Sequence, residues 1–365
     1  MEELIRHRRA LHRIPELGDR LKQTEGYLLG VLEPLGCSLF RPGRCAVAAY
    51  FDFGRAKTVA IRADMDGLPV AEETGLPFAS RFPGQSHACG HDGHMAILLG
   101  LCRWAATAYP KPRNNLLAIF QPAEETDGGA RFLLQRGLFR LFSPAAVYGL
   151  HLWPDLPAGE IFCRPGAMMA QSREADLRLQ GQGGHIASGQ RAGDALLAAA
   201  EVAAFCQEQA AELSDRLILR FGQLQAGEAR NAIACEAVLR GTVRSFSQKE
   251  DALARDILQQ GLERAKQMGC TGAMHLSEGY PPVINHPGRY EKAKALLGEE
   301  LSLLEAPVWQ SEDFSFYQKA APGLFFFLGC ESPYPLHHPG FSFDEGVLER
   351  GLWLWQRLLE EDLTE

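Results

Sequence analysis

Four short, nearly continuous apolar runs most constrain the fold of this 365-residue chain. Runs of this kind are typical of strands buried on both faces of a parallel sheet, and longer helical stretches separate them here. The sequence therefore predicts an α/β fold. The predicted strands cover residues 58–63, 116–120, 146–150 and 324–328.

Acidic or imidazole side chains follow three of these runs. The first run leads into Asp64 and Asp66. The second leads into Glu124 and Glu125, and the third leads into His151. Open α/β sheets carry their active sites at the carboxyl ends of the strands. We therefore expect these side chains to meet at one edge of the sheet.

The segment 168–280 has a different pattern and predicts a separate, inserted domain. Its order of elements, β-α-β-β-α-β, is that of ferredoxin-like domains. The expected architecture is a helix-flanked, largely parallel-sheet domain in two parts, 1–167 and 281–365, around this smaller domain. The predicted elements of the insertion are strand 174–180, helix 194–213, strands 216–223 and 236–246, helix 248–268 and strand 273–277.

The charge balance argues against a nucleic-acid partner. Lys and Arg total 37 against 45 Asp and Glu, so the net charge is -8. An acidic chain without a long basic run is poorly suited to binding phosphate backbones. The one basic cluster, at residues 6–9 and Arg13, alternates with apolar residues, and we interpret it as the solvated face of an amphipathic first helix.

The sequence also predicts a cytoplasmic protein that does not enter a membrane. The N-terminal residues are charged where a secretion signal is apolar. Apolar runs are all shorter than the ~20 residues that span a bilayer. The nine cysteines are odd in number and not closely paired, so we expect reduced thiols.

The densest chemistry lies in the octet HACGHDGH at residues 87–94, which a predicted helix follows. Asp92 is a candidate N-cap, and a helix N-terminus favours a thiolate at Cys89. A thiolate and neutral imidazoles are ligands that Zn²⁺ prefers. Two other interpretations stay open: a nucleophilic Cys89 with a histidine base, or polar residues that only cap the helix.

Adjacent glutamates and later histidines extend this hypothesis. Either Glu124 or Glu125 can bind a metal while the other faces the attacking water, and hydrolysis needs both roles. One histidine of the pair His337 and His338 is a further candidate ligand. The motif SEDF at 311–314 is interpreted as a helix cap, and GQGGH at 181–185 as a tight turn that presents His185.

Seven motifs in order give the chain its resemblance to the M20 metallopeptidase family, specifically its amidohydrolase branch. That branch includes hippurate hydrolases, N-acyl-amino-acid deacylases, N-acetyldiaminopimelate deacetylases and plant auxin-conjugate hydrolases. The resemblance spans nearly the whole chain, and the octet is its most specific part. The motifs are RADMD (62–66), HACGHDGH (87–94), FQPAEE (120–125), HLWP (151–154), GGH (183–185), SEDF (311–314) and LHHP (336–339).

The resemblance implies roles for individual residues and a centre of one or two divalent ions. Glu124 would be the general base. Asp66 would not bind the metal itself but would orient one of the metal ligands. His185 would reach the scissile carbonyl across a homodimer or higher homo-oligomer, with Asn231 as a further substrate contact. The inserted domain would be the lid and dimerisation surface. The implied ligands are Cys89, His91, Glu125, His151 and His337.

Departures from the family pattern fall mainly in the lid. Gly189 and Gln190 stand where the family has Pro-His, and Ala232 and Ala234 alter a second motif that begins at Asn231. Gly67 replaces an alanine beside Asp66, and Asp64 stands where related peptidases carry a metal-binding histidine. Because the implied ligands are intact, the resemblance predicts the chemistry better than the substrate.

The expected function is hydrolysis of the amide bond of an N-acyl amino acid to a carboxylic acid and a free amino acid. The cofactor is a divalent metal, for which the soft Cys89 favours Zn²⁺ while Mn²⁺, Co²⁺ and Ni²⁺ stay open. Three alternatives remain: a dipeptidase of the same chemistry, a Cys–His thiol hydrolase, and a non-catalytic, metal-stabilised binding protein.

Overall fold

The computed structural model describes residues 1–109, 112–188 and 193–363. The chain divides into two compact units. The first unit contains Met1–Met168, Ile284–Ala306 and Asp313–Glu365. The second contains Met169–Val283 and also the short segment Pro307–Glu312. The chain thus leaves the first unit at Met168, whereas we expected the boundary after residue 167, and re-enters it at Ile284 rather than 281.

Helices and strands are interspersed along the described chain. The helices are α1 (Glu2–His12), α2 (Lys22–Leu32), α3 (His91–Thr107), α4 (Gly129–Gln135), α5 (Leu138–Phe142), α6 (Ala195–Leu213), α7 (Gln248–Gln267), α8 (Pro287–Leu297), α9 (Ser315–Ala320) and α10 (Val347–Leu359). The strands are β1 (Ser38–Gly43), β2 (Ala46–Phe51), β3 (Thr58–Asp64), β4 (Asn115–Gln121), β5 (Ala146–Trp153), β6 (Ile161–Cys163), β7 (Gly166–Met169), β8 (Gln171–Gln180), β9 (Gly184–His185), β10 (Leu217–Ala226), β11 (Ala232–Ile233), β12 (Glu236–Ser245), β13 (Thr271–Leu276), β14 (Val283–Asn285), β15 (Leu301–Leu303) and β16 (Gly323–Gly329). Short 3₁₀ helices cover Glu33–Leu35, Ile186–Ser188 and Gly298–Glu300.

The first unit is built on an eight-stranded sheet in the order β1-β2-β4-β3-β5-β16-β6-β15. The four apolar runs of the sequence form its adjacent central strands β4, β3, β5 and β16, which are mutually parallel. Every residue of these four strands is buried, because each strand is covered on both faces. The α/β prediction is therefore confirmed.

Helix α1 differs from its prediction. Arg6 and Arg9 are exposed, as expected of a solvated face. Arg8, however, is 1% exposed and donates its Nε–H to Oδ2 of Asp92 at 3.3 Å. The interpretation of the whole basic cluster as a solvated face is wrong for Arg8, because its partner lies 84 residues away in sequence and is invisible to local patterning.

The second unit contains the predicted β-α-β-β-α-β motif as β8, α6, β10, β12, α7 and β13. Its four-stranded sheet has the order β10-β12-β8-β13, and every neighbouring pair is antiparallel. Asp194 and Ser247 cap the two helices with their side chains. Gly261 lets those helices approach closely, since a Cβ there would lie 2.8 Å from Sγ of Cys206. The ferredoxin-like prediction is confirmed.

None of the helices in the described part of the chain is both long enough and apolar enough to cross a bilayer.

Candidate metal centre

The carboxyl ends of the central strands bring together most of the residues singled out in the sequence. Asp64 ends β3, Glu124 and Glu125 follow β4, and His151 lies near the end of β5. His91 is the first residue of α3, with Cys89 two positions before it. His337 reaches the same place from the loop after β16, and its backbone N–H donates to the carbonyl of Ala88 at 2.8 Å.

Five candidate ligand atoms from these elements lie as close to one another as the ligands of one metal site. The Sγ of Cys89 is 3.3 Å from Nε2 of His151 and 3.4 Å from Nε2 of His337. The Oε1 of Glu125 is 3.2 Å from Nε2 of His337 and 3.9 Å from Nε2 of His91. Two ligands of one tetrahedral ion, with bonds of about 2.0–2.3 Å, are about 3.3–3.7 Å apart. The five groups therefore have the spacing of ligands to shared ions.

Hydrogen bonds fix which nitrogen of each inner histidine is free. The Nδ1–H of His91 donates to the backbone carbonyl of Asp66 at 2.8 Å, and that of His151 donates to the carbonyl of Leu152 at 2.7 Å. Each Nε2 therefore keeps its lone pair. The Nε2 of His91 is buried and has no hydrogen-bond partner among the described residues. An uncompensated buried acceptor is costly, and a cation would satisfy it.

The electrostatics of this cluster favour a bound cation. Burial lowers the pKa of His151 to about 3 and also lowers that of His91, so both imidazoles are neutral ligands. Burial would raise the pKa of Glu125, but hydrogen bonding to His337 and the nearby His91 hold it at about 2. A neutral-imidazole, carboxylate and sulfur donor set is the one that Zn²⁺ and similar ions prefer.

The expectation of a readily formed thiolate at Cys89 is wrong for the protein by itself. Burial and the carboxylates of Glu125, Glu124 and Asp64 raise the pKa of the Cys89 thiol well above its usual value. A nearby cation would reverse this shift, because it offsets the negative charge that surrounds the sulfur.

Asp66 holds the two glutamates in place. Its Oδ1 accepts the backbone N–H of Glu124 and its Oδ2 accepts that of Glu125, each at 3.1 Å. The turn into this arrangement passes through Ala123, which has a left-handed φ of 60°. Backbone strain of this kind persists where the surrounding structure demands it, and here the turn is held by the two hydrogen bonds to Asp66.

The glycine at position 67 has a steric reason. A Cβ there would lie 2.7 Å from the carbonyl oxygen of Pro15, which is too close for any other residue. The backbone N–H of Gly67 also donates to the carbonyl of Glu16 at 2.7 Å. The departure from alanine thus lets the N-terminal segment pack directly against the chain beside Asp66.

The three histidines of the octet have different environments. Only His91 directs a free nitrogen at the cluster of donor atoms. His87 is buried without a hydrogen-bond partner for either ring nitrogen among the described residues, and burial lowers its pKa to about 3. His94 is hydrogen-bonded through both ring nitrogens. Of the later pair, His337 joins the cluster, whereas His338 stacks on Tyr334 at 4.5 Å.

Asp92 is not the helix cap that the sequence predicted. Gly90 occupies the N-cap position with a left-handed φ of 84°. Asp92 lies in the first turn and accepts hydrogen bonds from Arg8 and from Nδ1 of His12, the latter at 2.8 Å. The Nε2 of His12 lies 3.1 Å from Oε1 of Glu72. These partners were missed, although Arg8 and His12 share the buried helical face of Leu4 and Leu11.

The pairing of His12 predicts a pH-dependent stability. Burial would lower its pKa, but Asp92 and Glu72 raise it to about 9. A folded-state pKa above the unfolded value of 6.5 stabilises the fold fully below pH 6.5, and this contribution is lost as the pH rises through 9. Between pH 6.5 and pH 9, the wild type should lose about 3 kcal/mol of unfolding free energy that His12→Gln does not lose, because glutamine does not titrate.

Urea unfolding followed by tryptophan fluorescence measures this difference across the pH range. The gap in unfolding free energy between wild type and His12→Gln should narrow as the pH rises. A gap that stays constant between those two pH values would contradict a charged, paired His12.

Asp313 is also more than the helix cap that the sequence predicted. The N-cap of α9 is Phe314, and no side chain bonds there. Instead the buried carboxylate of Asp313 accepts hydrogen bonds from Arg62 Nη2 at 2.8 Å, from Gln121 Nε2 at 2.8 Å and from the backbone N–H of Ala130 at 2.9 Å. Asp313 therefore ties the ends of β3 and β4 to the start of α4.

The remaining predicted residues belong to the second unit. His185 is exposed in the short strand β9, where it pairs with Ala232 of β11. The carbonyl of Asn231 accepts the backbone N–H of Ile186 at 3.1 Å, and that of Ala234 accepts the N–H of Ala195. The departures at Gly189 and Gln190 lie outside the described residues.

Comparisons with known proteins identify the family of the chain. Residues 60–361 match the model of the peptidase family M20/M25/M40. An N-acetyldiaminopimelate deacetylase of Streptococcus uberis is 37% identical over 379 aligned positions, which cover 100% of both chains. Another, of Streptococcus gordonii, is 37% identical and covers 95% of each. The solved structure of Bacillus subtilis YXEP, a dinuclear metal binding peptidase from the M20 family, aligns at TM-score 0.88 and 28% identity, covering 98% of this chain and 97% of that chain.

Proposed function

The chain belongs to the peptidase family M20/M25/M40 and is a hydrolase of amide bonds, and on that premise we propose that it deacylates N-acyl amino acids at a metal centre. The observation that carries the proposal is the convergence of sulfur, imidazole and carboxylate donors beside a second, adjacent glutamate. The proposed ligands are Cys89, His91, Glu125, His151 and His337.

Glu124 is the proposed general base. A divalent ion bound here would acidify the attacking water and polarise the scissile carbonyl. Glu124 takes the proton from that water as it attacks the carbonyl carbon, and then delivers it to the departing amine. The two backbone hydrogen bonds to Asp66 fix the segment that carries this carboxylate. The products are a carboxylic acid and a free amino acid.

His185 is the proposed hydrogen-bond donor to the substrate's carbonyl oxygen, with Asn231 as a second substrate contact. A donor aimed at that oxygen is most effective when negative charge develops on it. The support for both roles is the resemblance of the GGH motif, together with the exposure of the His185 side chain on the second unit.

N-acetyldiaminopimelate is the substrate to test first. The two Streptococcus relatives, which cover 100% and 95% of the chain, are named for its deacetylation. An N-acyl amino acid combines an acyl group with an amino acid that bears a free carboxylate. A panel of N-acetyl and N-benzoyl amino acids and dipeptides therefore shows whether the protein recognises the acyl group or the amino acid. Family membership alone does not fix that choice, because similar sites accept different amides.

Removal of the metal separates this proposal from its alternatives. We expect EDTA treatment to abolish release of free amine, and single additions of Zn²⁺, Mn²⁺, Co²⁺ or Ni²⁺ to restore it. A Cys–His thiol hydrolase would keep its activity after chelation. Absence of turnover with every substrate and metal, despite metal binding, would favour a metal-stabilised binding protein.

A homodimer formed through the second unit completes the proposal. Strand β10 is an edge strand, and the unit exposes four leucines on or beside α6 and β10. Sedimentation of the full chain should give twice the mass of 40.2 kDa. A monomer at all accessible concentrations would contradict it. The exposed leucines are Leu196, Leu197, Leu213 and Leu224.

A further inference from the structure

His94, the last histidine of the octet, lies close enough to the centre to look like a ligand. It is 2% exposed, and one donor atom from each of Asp64, His91, His94 and His151 falls within 4.8 Å of the others. Distance alone would therefore admit His94 and Asp64 to the metal-binding set. Their hydrogen bonds point to a different role.

Both ring nitrogens of His94 are already engaged. The backbone N–H of Leu152 donates to its Nε2 at 2.9 Å. A backbone nitrogen can only donate, so Nε2 is the acceptor and Nδ1 carries the hydrogen. That Nδ1–H donates to Oδ1 of Asp64 at 2.6 Å. The ring has no lone pair left for a metal ion.

The carboxylate of Asp64 is itself held from the opposite side. Nη1 of Arg62 donates to Oδ2 of Asp64 at 2.8 Å, and Nη2 of the same guanidinium donates to Asp313 at 2.8 Å. All three side chains are fully buried. Each oxygen of the Asp64 carboxylate therefore has a hydrogen-bond partner of its own.

The other end of this chain of bonds reaches a proposed ligand. Leu152 donates its backbone N–H to Nε2 of His94, and its carbonyl accepts the Nδ1–H of His151. The rings of His94 and His151 also pack edge to face, with centroids 4.7 Å apart. The direction of the His151 ring, and hence of its Nε2 towards Sγ of Cys89, depends on where the Leu152 backbone is held.

We propose that His94, oriented by Asp64, is a positioning residue that holds the Leu152 backbone and thereby aims His151 at the metal. This inference rests on the proposed function, since it takes His151 as a ligand. It assigns Asp64 to the support of His94 rather than to the metal. Arg62 holds the Asp64 carboxylate in place. Hydrogen-bonded partners behind a ligating histidine orient its ring and raise its affinity for the ion.

Two amide variants, each of which reproduces the position of one ring nitrogen, separate the two hydrogen bonds of His94. In His94→Gln the side-chain amide reaches the position of Nε2, so its oxygen can accept the Leu152 N–H. In His94→Asn the amide reaches only the position of Nδ1, so it keeps Asp64 and loses Leu152. Both are buried, polar and uncharged, so a purely structural effect would affect their melting temperatures and metal binding alike.

Titration of the metal-free full chain with Co²⁺, followed by its visible absorption, gives the readout. We expect His94→Asn to bind as many ions at saturation as the wild type, with affinity lower by about 10–100-fold and an altered ligand-field spectrum. We expect His94→Gln to bind Co²⁺ with an affinity and a spectrum close to those of the wild type.

Several results would overturn this assignment. Loss of one bound ion at saturation in both variants would make His94 a ligand. Equal affinity in His94→Asn and wild type, or equal losses in the two variants, would remove the positioning role. Absence of Co²⁺ binding by the wild type would refute the metal centre itself, and unaltered binding in His151→Ala would refute His151 as the ligand that His94 serves.

Discussion

Replacement of Glu124 by glutamine is expected to lower kcat by about 10²–10⁴-fold, because a neutral amide cannot take the proton from the attacking water. The substitution preserves the shape of a side chain that is 8% exposed, and the backbone N–H bond to Asp66 remains. Metal affinity should change little, since Glu125 rather than Glu124 lies among the proposed ligands. Steady-state kinetics and a metal titration on the same sample measure the two effects.

Glu125→Gln is the matched control for this experiment. It makes the same chemical change one residue along the chain, where Oε1 is 3.2 Å from Nε2 of His337. We expect it to weaken metal binding as well as turnover, so that excess metal restores part of its activity. Full activity of Glu124→Gln, or equal metal loss in both variants, would overturn the division of roles between the two glutamates.

Replacement of Asp313 by alanine should cost about 3–5 kcal/mol in the free energy of unfolding, as the loss of one partner in a buried ion pair does. The variant leaves the Nη2 of Arg62, the amide of Gln121 and the N–H of Ala130 without their acceptor. Each is buried, so water cannot replace the lost carboxylate freely. Denaturant unfolding followed by tryptophan fluorescence measures this loss.

Asp256→Ala provides the comparison for a surface aspartate. Asp256 is exposed on α7, and its removal should change the unfolding free energy by no more than about 0.5 kcal/mol. Asp313→Asn, which keeps an acceptor oxygen, should fall between the two. An Asp313→Ala protein as stable as Asp256→Ala would show that the buried network contributes nothing net to the fold.

Local patterns were sufficient for the elements that build the centre. Strands covered on both faces are apolar at every position, so β3, β4, β5 and β16 could be located from short runs alone. The residues just after those runs then had to meet, because parallel strands end at one edge. The order of elements in the insertion likewise identified its ferredoxin-like topology.

Buried charges could not be predicted in the same way. Arg8 and Asp92 are 84 residues apart, and Arg62 and Asp313 are 251 apart, so neither pairing leaves a periodic trace. A charged residue in an otherwise apolar helical stripe, as with Arg8 and His12, is the one local indication. The choice between His337 and His338 likewise depended on a left-handed turn at His337, with φ of 66°.

The position of β16 has a consequence for how the chain is made. This strand lies between β5 and β6, although more than 150 residues of sequence, including the whole insertion 169–283, separate it from them. During synthesis, β5 and β6 therefore each have an unpaired edge until residue 329 has left the ribosome. Such non-local pairing slows folding and exposes unpaired strand edges meanwhile. His337 lies in the loop that follows β16, so the nascent chain cannot assemble the full set of proposed metal ligands before residue 337 has been synthesised.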